Sequence, residues 1–346
     1  MVLPSLHNLI ADDLSVDLGT TNTLIAARGR GIVASGPSLL AISDENGEVV
    51  AVGIEALDMK GHLPVGVRVV SPMRSGVVAN PDLTAKLLSW FLRRARGGRM
   101  HFIKHVIVGV PPHLTEIEVR ALDAAVNEAG ASKIYFISQG LAAAVGAGLP
   151  VTEPKAVMIA DIGGGVTNVS VIASARTIHA MAEPIGGSAM DKELEAYFRK
   201  EYGLVISDRT AERVKMELGS ATPPEEGRIS TVIGQGTLED KPQMIEVSAE
   251  EIFEVIEPIT TRIVHTVRKS LEGLPPDAAA DLYVRGIVIT GGTSLLKGLR
   301  GRIEKETGLK TRVSENPLHS TAVGGVKLYD NPLLLRRAVR SSDYTP

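Results

Sequence analysis

The stretch Met158-Ile159-Ala160-Asp161-Ile162-Gly163-Gly164-Gly165-Val166-Thr167-Asn168-Val169 decides how the rest of the chain is read. An apolar run ends in a carboxylate, three glycines follow, and a second β-type run leaves from Val169 to Ala173. The pattern predicts a hairpin whose turn carries one acid and several bare backbone N–H groups. Glycine lets the backbone approach a ligand closely and take φ > 0. Successive N–H groups in such a turn form a concave anion site. An aspartate beside a phosphate would repel it unless a divalent cation lay between them. The stretch therefore points to a magnesium nucleotide, with a plain tight turn as the alternative.

The chain does this twice. Leu14-Ser15-Val16-Asp17-Leu18-Gly19-Thr20-Thr21-Asn22-Thr23-Leu24-Ile25-Ala26 repeats the order of apolar strand, Asp, apolar residue, Gly, hydroxyl-rich turn and apolar strand. The spacing from Asp17 to Asp161 is 144 residues, about the length of one domain. Two such hairpins facing each other would clamp a nucleotide's phosphates, with the metal held between the two acids.

A length of 346 residues implies two domains, since single cores stop growing near about 250–300 residues. The net charge of −3 provides no basic field to recruit nucleic acid. The absence of cysteine excludes a disulfide framework and thiolate metal sites, and suits a reducing compartment. No apolar run approaches the roughly 20 residues that span a bilayer, and the first dozen residues lack the pattern of a signal peptide. The expected location is the cytosol or the inner face of the cell membrane.

Along the chain, Leu3, Leu6, Leu9 and Ile10 share one face of a short amino-terminal helix, read either as a frayed end or as a membrane-touching segment. Strands are predicted over 14–18 and 22–27, and residues 32–75 as a small inserted subdomain. Asn80-Pro81 opens a helix with an N-cap and a proline at its first position. Residues 99–104 within the basic and apolar run Arg93 to Lys104 read either as a helix end leading to a strand or as a membrane-surface loop. In the second reading Met100, Phe102 and Ile103 dip into lipid. Val106 to Val110 is a buried strand, Thr115-x-x-Glu118 a capping box, and Ile134 to Ile137 a strand with Gln139 just past its end. After the second hairpin come helices over 190–202 and through Thr210 to Leu218, an insertion over 219–248, and a helix over 250–271 ended by Pro275-Pro276. The strand Gly286 to Thr290 then runs into Gly291-Gly292 and a helix from Leu295. Strands alternating with helices around glycine-rich turns indicate an α/β layered domain.

The order Val16-Asp17-Leu18-Gly19-Thr20-Thr21-Asn22-Thr23, Val108-Gly109-Val110-Pro111, Asp161-Ile162-Gly163-Gly164-Gly165, Glu212-Arg213-Val214-Lys215 and Thr290-Gly291-Gly292 resembles the actin-like ATPases. Within them it is similar to the bacterial actins of the MreB/Mbl family, from about residue 14 to 330. Words such as Ser71-Pro72-Met73-Arg74-Ser75-Gly76-Val77-Val78-Ala79 belong to that branch.

The resemblance implies two duplicated α/β domains, each with a small inserted subdomain and with a nucleotide cleft between them. Domain I would hold residues 14–145 and 315–346, with its subdomain over about 32–75. Domain II would hold 146–314, with its subdomain over about 186–248. The implied cofactors are ATP and Mg²⁺. Asp17 and Asp161 would hold the metal. Gly19, Thr20, Thr21 and Asn22, with Gly163, Gly164 and Gly165, would cradle the phosphates. Glu212 and Lys215 would reach the ribose and base, and Gly291 and Gly292 would pass close to the adenosine. Gln139, Asp161 and Thr167 form the catalytic set. The implied role is a slow ATPase that forms filaments with itself on the inner membrane surface, through residues 1–13 or 99–104 or both. It would position cell-wall synthesis through proteins of that machinery.

The chain departs from the family pattern in three places. Ser138-Gln139-Gly140 stands where two glutamates and a proline are usual, so the water-activating acid falls on Gln139. Val166-Thr167-Asn168 has one hydroxyl and one carboxylate fewer than usual, and Thr293 stands where a third glycine is usual. These changes keep open the alternative of a nucleotide-binding scaffold that hydrolyses little or nothing.

Overall fold

A computed structural model describes residues 11–74, 76–96, 102–110, 115–237 and 241–339. The chain begins with β1 (Ala11–Leu18), β2 (Asn22–Ala27), β3 (Gly31–Pro37), β4 (Leu40–Ser43), β5 (Val49–Val52), α1 (Ile54–Lys60) and β6 (Val67–Val70). The short ladder of β7 (Met73–Arg74) and β8 (Val77–Val78) leads to α2 (Pro81–Ala95), β9 (Phe102–Val110), α3 (Glu116–Glu128), β10 (Ala131–Ser138) and α4 (Gln139–Gly146). Next come β11 (Val157–Ile162), β12 (Thr167–Ala173), β13 (Arg176–Glu183), α5 (Gly187–Glu201), β14 (Leu204–Val205), α6 (Asp208–Leu218), β15 (Ile229–Gly236) and β16 (Pro242–Ser248). α7 (Ala249–Lys269), α8 (Pro276–Arg285), β17 (Ile287–Thr290), α9 (Leu299–Thr307), β18 (Thr311–Val313), α10 (Ser320–Leu328) and α11 (Pro332–Ala338) complete the order. The chain divides into two compact units, one of Met1–Ile159, Ser170–Ala180 and Leu318–Pro346, the other of Ala160–Val169 and Met181–Pro317.

In the first unit the sheet order is β10-β9-β1-β2-β3. β9 lies parallel to both β1 and β10, while β2 pairs antiparallel with β1 and β3. Strand side chains alternate between the two faces of a sheet. Val106 and Val108 accordingly join a core with Leu87 and Phe91 of α2 and Leu122 of α3. Ile107 turns the other way, into a core with Leu141 of α4, Leu328 and Leu334. A strand buried on both faces has to be apolar throughout, which is why Val106 to Val110 reads as an unbroken run.

β3 belongs to this central sheet, so the small insertion starts only after Pro37, with β5-β4-β6 as its own sheet. The turn that separates β2 from β3 was visible in sequence, but strand pairing is not a local property. Ile103 is fully buried in the core, which removes it from any lipid contact, whereas Phe102 is 68% exposed. Of the two membrane-contact candidates, residues 11–13 lie in β1 and Lys104 in β9, and residues 1–10 and 99–101 lie outside the described residues.

A second five-stranded sheet, of order β13-β12-β11-β17-β18, reproduces the strand plan of the first sheet. A hairpin is flanked on one side by the strand that follows it and on the other by two strands formed later in the chain. α7 packs through Ile252, Ile256, Ile259, Ile263 and Val267, all buried, at helical spacing. A three-stranded sheet β14-β15-β16 forms the small insertion. Pro275-Pro276 does end the segment after α7, but Pro276 also opens α8 at its first position, which the sequence reading did not include. The helix expected from Leu295 is a 3-10 turn over Gly292–Leu295, and α9 starts only at Leu299, because Gly298 takes the left-handed conformation (φ 79°).

Candidate functional site

In the first unit the hairpin turn between β1 and β2 carries Asp17 at the end of β1. The Gly19 N–H donates to the Asn22 carbonyl at 3.1 Å and closes the turn. A Cβ on Gly19 would lie 2.6 Å from that carbonyl oxygen, so only glycine fits. The turn is tied to its surroundings by small groups. Ser38 donates its hydroxyl to the Gly19 carbonyl at 2.7 Å, and its N–H to the Thr21 carbonyl at 2.8 Å. The Gly76 N–H donates to the Thr20 hydroxyl at 2.8 Å, bringing the Ser71 to Val78 segment against the turn. Thr21 and Asn22 are exposed at its tip.

Gln139 is the first residue of α4. Its side chain packs so close to Gly109 that a Cβ there would meet Gln139 Cγ at 3.2 Å. The Gln139 Oε1 is buried and accepts no hydrogen bond among the described residues. A buried carbonyl oxygen in that state costs free energy unless something arrives to donate to it.

In the second unit the turn after Asp161 repeats the first, residue for residue. The Gly163 N–H donates to the Val166 carbonyl at 2.9 Å, the same bond 144 positions on. Gly19 and Gly163 lie in the turns expected to cradle the phosphates, and each N–H closes its own turn. The N–H groups of Gly164 and Gly165 have no backbone acceptor among the described residues, which leaves them as the donors of this turn.

Thr167 sits at the position matching Thr23. Both hydroxyls are fully buried. Thr23 is 2.9 Å from the Ser38 hydroxyl, and Thr167 donates to the Ile185 carbonyl at 2.8 Å. The two threonine hydroxyls fasten their hairpins to the neighbouring segment.

Gly291 (φ 83°) brings the turn after β17 against this hairpin. A Cβ on it would lie 2.5 Å from Asp161 Oδ1. Gly291, Asp161 and Gly163 are thus brought together, with Gly292 exposed beside them. Glu212 and Lys215 lie one turn apart on α6, with Glu212 exposed. Lys215 Nζ lies 2.7 and 2.9 Å from the two carboxylate oxygens of Asp191 and donates to the Gly187 carbonyl at 3.3 Å. Burial pushes the Asp191 carboxyl up to about 6, against the opposing pull of Lys215. The sequence reading missed Asp191 and Ser38. The only signal for Asp191 was an acid one turn after Gly186-Gly187, and Ser38 had none beyond a Gly-Pro-Ser turn.

A magnesium ion takes one or two carboxylates, keeps several waters and fills its shell with phosphate oxygens. A single acid on each hairpin, with the Gly164 and Gly165 N–H groups beside Asp161, suits that chemistry. Among the described residues no group of three or more acids and histidines could hold a metal ion. No described helix is long and apolar enough to cross a membrane.

A sequence model described as MreB/Mbl protein matches residues 11–336. The cell shape-determining protein MreB of Escherichia coli (strain K12) is 39% identical over 331 residues, covering 94% of this chain and 95% of that protein. The cell shape-determining protein Mbl of Bacillus subtilis (strain 168) is 32% identical over 323 residues, covering 93% and 97%. The crystal structure of Spiroplasma citri MreB5 bound to ADP superposes with a TM-score of 0.86 at 29% identity, covering 94% of this chain and 98% of that one. The doubled hairpin, the repeated sheet order and these three likenesses agree: the chain has the actin-like ATPase fold and belongs to the MreB/Mbl family.

Proposed function

We propose that this chain is a nucleotide-dependent cytoskeletal protein that binds ATP with magnesium and assembles with copies of itself into filaments. We further place it on the inner face of the cell membrane, where it helps position cell-wall synthesis and maintain cell shape. The observation that carries the nucleotide reading is the pair of identical turn closures, Gly19 to Asn22 and Gly163 to Val166, each two residues after an aspartate. The relative solved with ADP and the relatives named as cell shape-determining support it.

In this reading Asp17 and Asp161 hold the magnesium through its water shell, and the ion supplies positive charge against the phosphates. Thr20, Thr21, Asn22, Gly164 and Gly165 line the phosphates. Gly291, Gly292 and Glu212 lie toward the adenosine, and Lys215 is held ready by Asp191. Gln139 Oε1 accepts a hydrogen bond from the attacking water and orients it. A neutral amide cannot take the proton, so hydrolysis is slow.

The same amide, with Thr167 engaged in the scaffold, favours the second reading of a nucleotide-binding scaffold that scarcely hydrolyses. Sedimentation with and without ATP and Mg²⁺ tests the switch, which is lost if pelleting ignores the nucleotide. Phosphate release separates the two readings. Gln139→Glu should raise it about tenfold or more, from a slow but measurable wild-type rate if the first reading holds and from background if the second does. For the membrane, exposed Phe102 is the described candidate contact. Liposome flotation of Phe102→Ser beside wild type tests it, and equal flotation would remove Phe102 from the anchor.

A further inference from the structure

Around Gly163, three separate segments meet on the backbone of one residue. Its N–H closes the hairpin onto Val166. Its carbonyl accepts the N–H of Gly187, the first residue of α5, at 3.1 Å. The same carbonyl accepts a second bond, from the Thr293 hydroxyl at 2.8 Å, across 130 residues of chain. Thr293 lies in the 3-10 turn that follows Gly291, and Gly291 itself is pressed against Ile162 and Asp161. Thr293 is the position at which the chain departs from the usual third glycine, and glycine has no side chain to make this bond. Space around it is closed too, since a Cβ on Gly187 would come 2.8 Å from the Thr293 hydroxyl.

We propose that Thr293 is a positioning residue: its hydroxyl fixes the plane of the peptide that joins Gly163 to Gly164 and so sets the direction of the Gly164 N–H, which receives a nucleotide phosphate. The proposal rests on the nucleotide reading of this turn. Its physical basis is that the Gly163 carbonyl and the Gly164 N–H belong to one planar peptide, so a carbonyl held by two donors keeps that peptide from rotating about its flanking bonds. Glycines on either side would otherwise leave that rotation nearly unopposed. A donor arriving from the turn after β17 also makes the two ligand-facing segments of this unit move as one piece. The departure from glycine thus replaces freedom in one turn with a strut to its neighbour.

Hydrogen exchange of the nucleotide-free protein, followed by mass spectrometry on peptides covering 160–168, reads the strut without any ligand. Binding of a fluorescent ADP reads its consequence. Thr293→Val keeps the branched shape and removes the donor. It should speed exchange in that peptide about fivefold, the ratio set by one ordinary hydrogen bond, and weaken ADP binding by a similar factor. Exchange in α7 peptides should be unchanged. Thr293→Ser should restore both values, which a simple packing role would not do. Unchanged exchange in Thr293→Val, or faster exchange with undiminished ADP affinity, would overturn the proposal. If wild-type protein binds no ADP while the exchange effect is present, the nucleotide reading has failed and the strut has not. A Thr293→Val chain that unfolds at lower temperature throughout is replaced by Thr293→Ala, judged on the same two readouts.

Discussion

Asp191 carries a carboxylate that the fold holds in an unfavourable state. Burial raises it from 3.8 to about 6, and Lys215 offsets only part of that cost. The sign of the linkage follows from proton counts. Between about pH 4 and pH 6 the folded chain keeps a proton on Asp191 that the unfolded chain has lost. This group's contribution to stability is therefore full at the acidic end and falls as pH rises through about 6. The expected outcome is that wild type loses up to about 3 kcal/mol relative to Asp191→Asn between about pH 4 and pH 7. Urea unfolding of both proteins at the two pH values measures it. A constant difference would show that Lys215 neutralises the pair completely. The same site explains why residue roles are harder to read than motifs. Glu212 and Lys215 were legible from their spacing, but the partner that fixes Lys215 comes from another helix. Likewise the Ile185 carbonyl, which accepts the Thr167 hydroxyl at 2.8 Å, comes from a segment that no local reading pairs with it.

At the scale of elements, the capping box of Thr115 with Glu118, which opens α3, was legible because a box is written in four consecutive residues. Ser248 with Glu251 opens α7 by the same device, which the sequence reading did not single out. Hairpins, strand cores and the α2 stripe were legible for the same reason, being local periodicity and local turn chemistry. Sheet membership of β3 and the proline-led start of α8 were not, since both depend on what the segment meets after folding. The box at α7 does more than cap. Glu251 Oε2 accepts the Ser248 N–H at 2.8 Å, while Oε1 accepts the hydroxyls of Tyr197 at 3.0 Å and of Tyr202. Burial alone would push the Glu251 carboxyl up, but hydrogen bonds from Tyr202, Ser248 and Tyr197 outweigh it and hold the group below its ordinary value. Its stabilisation is therefore present above the unfolded carboxyl value and lost as pH falls through the folded one. Glu251→Ala should cost about 2–3 kcal/mol, one part for the lost cap and one for two hydroxyls left without their acceptor. Glu251→Gln should keep most of the neutral-pH stability and remove its acid dependence. Thermal unfolding across pH checks both, and an Ala variant as stable as wild type would leave the clasp without energetic weight.

Across the whole molecule the decisive feature is that the chain's last described segment returns to build its first unit. α10 lies against α4, the helix that starts at Gln139, and the two approach through glycine. A Cβ on Gly324 would run into the Ala142 carbonyl, and one on Gly146 into the Ser320 carbonyl. Tyr329 follows α10 and donates its hydroxyl to the Leu14 carbonyl of β1 at 2.9 Å. The helix that starts at Gln139 is thus held by one almost two hundred positions later, a dependence no local reading can reveal. Backbone atoms cannot step aside as side chains do, so Gly324→Ala must push α10 off α4. The expected cost is about 3 kcal/mol or more, with Gln139 displaced and phosphate release lowered along with thermal stability. Gly301→Ala serves as the contrast. It lies in α9 with nothing within 4 Å of its added Cβ, so it should be neutral or stabilise by up to about 1 kcal/mol. Differential scanning calorimetry and phosphate release on the two variants decide the matter. If Gly324→Ala unfolds at the wild-type temperature and releases phosphate at the wild-type rate, α10 does not set the position of α4, and the buttress on Gln139 is lost.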